Sequence, residues 1–285
     1  MCYTTDVKVA VLGLGLIGGS IAQKCLLRNI EVVGWNHNPE RFELAERLGI
    51  TCYNDISAVV AQTPDVIFVA TPIYSVEGVF LELRDAGLSA SQAVVDVASV
   101  KVMPQKWATQ AGIAQNYVGA HPMFGTELTG LSNSSAALGD GAIWAVCSGV
   151  DSDLTGNIVD FIEQVLDGAA VLTTAEEHDV AVALSSHLPH VFAYELAGII
   201  SDKASSGDSA LKLARKLNAG SFHGATRVAH GNPGLFRDML KFNRGNISAL
   251  LAQTIAELED LKQSLQTNDD ARIDAFIARS EEFRH

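Results

Sequence analysis

The sequence predicts an α/β fold, a doubly wound parallel sheet followed by an all-helical domain, and three observations carry that expectation. Apolar runs of strand length alternate with helix-forming stretches through the first 173 residues. Residues 8–20 pass from an apolar run into G-x-G-x-x-G at Gly13, Gly15 and Gly18, with helix-forming sequence behind it. From Thr174 onward no convincing strand pattern remains. Strands that are apolar on both faces belong to a parallel sheet covered by helices on each side.

In order, residues 7–12 read as the first strand, 20–28 as a helix, 30–35 as the second strand and 39–48 as the next helix. Residues 66–70, after Pro64-Asp65, form a short apolar strand; 75–83 are helical and 93–97 are a further buried strand. Residues 118–120 and 142–147 are later strands, 151–166 a helix and 169–172 the last strand. The remaining helices are expected over 175–200, 209–217 and 233–266. Asn232-Pro233 is a favourable helix start, with Asn as cap and Pro at the first position. The expected domains are 1–173, dinucleotide-binding, and 174–285, helical. In the last helix Ile247, Leu251, Thr254, Leu258, Leu261 and Leu265 alternate at spacings of four and three, a heptad seam. It predicts a homodimer through the helical domain, with packing inside the chain as the alternative.

The formal net charge of −13, from 33 acidic and 20 basic residues, argues against nucleic acid or an anionic membrane surface as partner. Cys2, Cys25, Cys52 and Cys147 show no C-x-x-C or metal-ligand spacing and read as free thiols in a reducing cytosol. The N-terminus has Asp6 and no basic segment, unlike a signal peptide. No apolar run approaches the ~18 residues of a membrane span. A cytoplasmic enzyme is expected.

Each glycine of the first motif has a physical task. Gly13 allows a tight turn out of the strand, Gly15 lets backbone approach a pyrophosphate, and Gly18 lets the helix pack close to the sheet. With Leu14, Leu16 and Ile17 they form a loop whose free N–H groups and helix dipole favour phosphate, as in a Rossmann-type site. Thr71 and Pro72 follow a parallel strand and should line the same crevice. Asp96-Val-Ala-Ser99-Val-Lys101 and Gly119-Ala-His121-Pro-Met-Phe-Gly125 also follow apolar strands, on the ligand-binding edge. His121 can accept a proton from a substrate hydroxyl, and Ser99 could hold its ring. In Ser185-Ser-His187-Leu-Pro-His190 the two histidines share a helix face, and Pro189 should kink the helix. With no acidic or Cys partner apparent, substrate contact is favoured over metal, and no metal is expected.

Taken together, G-L-G-L-I-G-G-S, A-T-P, D-V-A-S-V-K, G-A-H-P-M-F-G-T-E, S-S-H-L-P-H and T-R-V-A-H-G-N-P resemble the TyrA family, the prephenate and arogenate dehydrogenases of tyrosine biosynthesis. The resemblance runs from about residue 7 to 265 in the family's order. It implies an oxidative decarboxylation in which NAD(P)+ takes hydride from a cyclohexadienol, the ring carboxylate leaves as CO2 and the product becomes aromatic. It implies that His121 bonds the 4-hydroxyl with Ser99 orienting it, and that Glu127 is an acidic gate residue. It further implies that Ser186, His187 and His190 line the substrate pocket and that Arg227 binds a substrate carboxylate. Gly220 and Phe236 match positions that reach into the neighbouring subunit's site.

Two departures stand out. Phe222-His223-Gly224-Ala225-Thr226-Arg227 has His223 where many members carry Arg or Lys, and the family's acid is missing. The choice between prephenate and arogenate stays open there. At the end of the second strand, where NAD-specific sites carry an acid, the chain has Asn36. Nothing there repels a 2′-phosphate, and His37 or Arg41 could bind one, so NADP is expected over NAD. No mutase extension or regulatory segment is seen, so a stand-alone dehydrogenase is expected. A β-hydroxyacid dehydrogenase would need a catalytic Lys, and none lies between Lys106 and Lys203. A non-catalytic NADP sensor would have no use for Ser99, His121, His187, His190 and Arg227 together.

Overall fold

In the computed structural model, residues 7–126, 128–147, 152–205, 209–217 and 219–281 are described. Eight strands form one sheet, in the order β3-β2-β1-β4-β5-β6-β7-β8. They are β1 (Lys8–Leu12), β2 (Glu31–Trp35), β3 (Thr51–Cys52), β4 (Val66–Val69), β5 (Ala93–Asp96), β6 (Tyr117–Pro122), β7 (Ile143–Cys147) and β8 (Ala169–Thr173). The helices that wrap it are α1 (Leu16–Leu27), α2 (Phe42–Arg47), α3 (Ile56–Val60), α4 (Ile73–Asp85), α5 (Val102–Ala111) and α6 (Ser152–Gln164).

Alternation along each strand sends neighbouring side chains to opposite cores. Val9 and Val11 join Phe68 and Phe161 on one face, whereas Ala10 and Leu12 join Val33 and Phe80 on the other. Both faces are dry, so β1 and β4 carry no polar residue except Lys8 at the edge. β1 pairs with β2 on one side and β4 on the other, both parallel. The winding reverses at β1, and a ligand crevice opens beyond its carboxyl end.

The sheet departs from the all-parallel expectation at one pairing. β6 and β7 run antiparallel, with His121 opposite Ala145. Among the described residues the connection from β6 to β7 contains the 3-10 turn Leu131–Asn133 and no α-helix, and the chain returns along its neighbour. β8 is again parallel to β7.

The helical part comprises α7 (Ala175–Val182), α8 (Leu188–Ser205), α9 (Ser209–Leu217), α10 (Gly220–Thr226), α11 (Pro233–Phe242), α12 (Arg244–Thr267) and α13 (Asp270–Ala278). Two expected long helices are interrupted. Between α7 and α8, residues Ala183–His187 form a π-helical turn, in which the Leu188 N–H reaches the Ala183 carbonyl. Pro189 has no N–H for Ser185, and the wider turn is the form this break takes in place of a simple kink. Between α11 and α12, Asn243 leaves helical geometry at φ −117° and ψ 26°, and its side chain is used in tertiary bonds instead. Along α12 the heptad seam starts buried at Ile247 but leaves Leu258 47% and Leu265 59% exposed.

Candidate active site

At the glycine loop, Gly13 sits at φ +103°, and a Cβ there would meet the Ala70 carbonyl oxygen at 2.6 Å. A Cβ on Gly18 would meet the Gly13 carbonyl oxygen at 2.1 Å, so strand, loop and helix pack backbone to backbone. Gly15 has nothing within 4 Å of that position, and α1 begins there with no side-chain cap and no acid in its first turn. Free N–H groups facing open space suit a phosphate. Thr71, whose backbone abuts Gly13, has a buried hydroxyl with no hydrogen-bond partner, while Pro72 is exposed. These features fit a dinucleotide.

Asn36 Oδ1 accepts the Leu14 N–H at 3.1 Å, and its Nδ2 donates to the Asn38 carbonyl. Arg41 grips the same loop by donating to the Leu14 carbonyl at 3.3 Å, and His37 is exposed. The neutral Asn36 therefore braces the loop from the position where an acid would select ribose hydroxyls.

His121 lies on β6, but its ring partner is not Ser99. His121 Nδ1 stands 2.9 Å from Nε2 of His178, and His178 Nδ1 stands 2.8 Å from Oδ1 of Asp179. No hydrogen bond joins Ser99 to His121 among the described residues; Ser99 sits half-buried in the β5–α5 loop. The Asp179 carboxylate also accepts the N–H groups of Lys101, at 2.7 Å, and Val102, at 3.0 Å. It thereby caps the N-terminus of α5 across the domain boundary.

Acceptor-only groups assign the tautomers. The carboxylate makes His178 Nδ1 the donor; with His178 Nε2 as acceptor, His121 donates through Nδ1. His121 is left with a bare Nε2. Burial, joined by His178, Lys101 and His187, holds the His121 imidazolium well below the ordinary histidine range, so the ring is a neutral base.

The same logic applies on the π turn. Asn243 Nδ2 donates to the Asp179 carbonyl at 2.6 Å, which fixes its amide, and stands 3.1 Å from His187 Nδ1. His187 must accept there and carries its proton on Nε2. Burial pushes His187 down to about 4. His190 Nδ1 donates to the Ser186 carbonyl at 2.8 Å. Phe236 stacks between His190 and Tyr194, 4.2 Å from the Tyr194 ring. Phe236 is thus packed against two rings of its own chain.

Arg227 ends α10 on a turn that packs against α8, is exposed, and has no ion pair among the described residues. His223 and Gly220 lie on the same short helix, both exposed. Glu127 lies outside the described residues. Among the described residues no group of three or more His, Cys, Asp or Glu side chains could hold a metal ion, and no helix is long and apolar enough to cross a membrane.

Sequence reasoning missed His178, Asp179 and Asn243. A signal for the first two was present: Thr174 and Glu177 form a capping box. That box starts a helix whose fourth and fifth residues are an adjacent His-Asp pair at the sheet edge.

Comparison with known proteins identifies the family. The family model of the prephenate dehydrogenase nucleotide-binding domain matches residues 17–172, and that of the prephenate dehydrogenase dimerization domain matches 174–278. The chain is 29% identical to the cyclohexadienyl dehydrogenase of Zymomonas mobilis, over 92% of this chain and 89% of that one. The crystal structure of Synechocystis arogenate dehydrogenase superposes with a TM-score of 0.83 at 28% identity, covering 98% of this chain and 99% of that one. The prephenate dehydrogenase of A. aeolicus, solved with hydroxyphenyl propionate and NAD+, shares the fold with a TM-score of 0.87 at 24% identity, over 98% and 97% of the two chains. With both halves of the chain matched in order, the protein belongs to the prephenate dehydrogenase family.

Proposed function

We propose that the chain oxidatively decarboxylates prephenate or arogenate in tyrosine biosynthesis, with NADP+ as the preferred acceptor and NAD+ as the alternative. The observation that carries this reading is the relay from Asp179 through His178 to His121, which leaves a neutral imidazole nitrogen bare on the ligand-binding edge. When bound, the nicotinamide nucleotide supplies the hydride acceptor. Gly13, Leu14, Gly15, Leu16, Ile17 and Gly18 form the loop against its phosphates, Thr71 and Pro72 line it, and Ser99 faces the nicotinamide end.

His121 Nε2 accepts the 4-hydroxyl proton as the carbinol carbon is oxidised. Loss of the ring carboxylate as CO2 makes the ring a phenolate, and His121 returns the proton to that oxygen. Aromatisation makes the sequence downhill, so alignment and one reversible proton transfer are what the protein must contribute. Arg227 takes a substrate carboxylate with its guanidinium fork. The His187 N–H and the His190 Nε2 offer polar contacts along the pocket, with Ser186, His223, Gly220 and Phe236 around them and Glu127 as gate. The NADP preference rests on neutral Asn36 together with the Arg41 cation tied to the loop and His37 beside it.

The exposed Leu258 and Leu265 support a homodimer through residues 174–285, with residues 1–173 as the dinucleotide domain. Free Cys25, Cys52 and Cys147 suit a reducing cytoplasm. Assay of prephenate and arogenate, each against NAD+ and NADP+, tests the reading. Turnover that is fastest with NADP+ and abolished in His121→Asn is expected; no turnover in any of the four combinations would overturn it.

A further inference from the structure

We infer that Lys101 is a positioning residue that clamps both the peptide carrying His121 and the carboxylate orienting His178; this rests on the reading of His121 as the base. The Lys101 side chain is fully buried. Its ammonium has three donors, and all are used: Asp96 Oδ1 at 2.5 Å, the Ala120 carbonyl at 2.8 Å and the Asp96 carbonyl at 3.3 Å. The Ala120 carbonyl belongs to the peptide bond that leads into His121. Fixing its plane fixes the direction in which the imidazole leaves β6.

The backbone of the same residue completes the clamp. The Lys101 N–H donates to Asp179 Oδ1, the oxygen that also accepts from His178. One residue therefore holds the base from below and the end of its relay from the side. Asp96 is fixed in turn by the Tyr117 hydroxyl at 2.6 Å and the Ala98 N–H at 3.0 Å. A buried ion pair seldom stabilises a fold more than apolar residues of the same shape would. Its placement at the root of the base points to orientation and charge as its use.

Charge supports the geometry. The groups facing His121 are His178 and, behind it, Asp179 from α7, His187 from the π turn, and Lys101 with Asp96 at the β5–α5 end. Among these the Lys101 ammonium acts with burial to disfavour the imidazolium. Removing it alone leaves Asp96 uncompensated, so the His121 midpoint must rise.

The test compares wild type, Lys101→Met and Asp96→Asn/Lys101→Met. It reads kcat/KM against pH, cofactor affinity by fluorescence, and His121 titration by NMR with isotope-labelled histidine. In Lys101→Met the His121 midpoint and the acid limb of kcat/KM should both rise by about one pH unit. Its kcat should fall at least ~10-fold, with cofactor affinity within about twofold. The double variant, which leaves no unpaired buried charge, should keep the midpoint near wild type yet still lose kcat, because the Ala120 carbonyl has lost its donor. An unmoved midpoint in Lys101→Met, or wild-type kcat in the double variant, overturns the inference. Should Lys101→Met fail to bind cofactor, the double variant decides by the same kcat criterion. A wild type without turnover would sink the reaction assigned to the chain instead, and the NMR midpoint would then decide the role of Lys101.

Discussion

His121 Nδ1 and His178 Nε2 lie 2.9 Å apart, with the rings edge to face at 72°. This contact joins a strand of the sheet to a helix of the second domain. It holds the His121 ring through Nδ1 and keeps the partner away from the opposite nitrogen.

Replacing His178 should therefore disable the base without emptying the pocket. In His178→Phe, kcat is expected to fall by about 10²-fold with little change in substrate KM, because orientation matters in the proton-transfer step and not in binding. Steady-state kinetics check this. A raised KM at wild-type kcat would contradict the relay.

Arg227 should behave in the opposite way. Loss of a charge-assisted fork to carboxylate costs ~1.5–3 kcal/mol, about 10- to 100-fold in affinity. Arg227→Ala should accordingly raise KM and largely spare kcat. A large fall in kcat at constant KM would remove it from the binding role.

Asn36→Asp offers a cofactor test that keeps the loop brace, since a carboxylate oxygen can still accept the Leu14 N–H. The new charge should accept ribose hydroxyls and repel a 2′-phosphate, moving the kcat/KM ratio toward NAD+ by at least ~10-fold. The ratio measured for both nucleotides in wild type and variant decides it. A tenfold wild-type preference for NAD+ would already refute the NADP assignment.

Pro189→Ala restores an N–H at the point where the helix widens. The π turn should relax toward α geometry, rotating His187 away from Asn243. Substrate KM should rise while the melting temperature stays level or increases, since an interior proline costs a helix ~3 kcal/mol. A fall in both affinity and stability would show that the turn is held by its surroundings rather than by Pro189.

Acid should weaken the fold over a defined window. His187 titrates near 4 when folded, against 6.5 for an ordinary histidine, and His121 is depressed as well. Between those values the unfolded chain binds protons that the folded chain refuses. Stability is thus fully present above about pH 6.5 and declines toward pH 4. Denaturant midpoints at several pH values should follow this slope, and His187→Gln should flatten it. An unchanged slope in the variant would show that His187 is not buried in the folded state.

The parts legible in the sequence were those whose physics is local. A glycine loop behind an apolar strand, and a His or Thr just past a buried strand, fall on the ligand edge of any doubly wound sheet. That rule placed Gly13, Thr71 and His121. His178, Asp179 and Asn243 depended on contacts across 56 to 78 residues, which no periodicity records. Ser99 looked like the natural partner of His121 because both follow neighbouring strands, yet the antiparallel return of β7 and the docking of α7 bring a different imidazole to Nδ1. The break at Asn243 was missed because apolar helical spacing continues on both sides of it, which outweighed the poor helix formers Asn243, Gly245 and Asn246.

The Asp179 carboxylate belongs to the helical half and grips the start of a helix in the sheet half, so the His121–His178–Asp179 chain is assembled only at the seam. Neither half is a portable module for this chemistry. A chimera that kept the glycine loop and His121 but took its second half from another dehydrogenase would lose the His178 and Asp179 partners of His121. Recombination could preserve the activity only by exchanging residues on both sides of the seam together, which makes the joint, and not either domain, the unit that descent must carry intact.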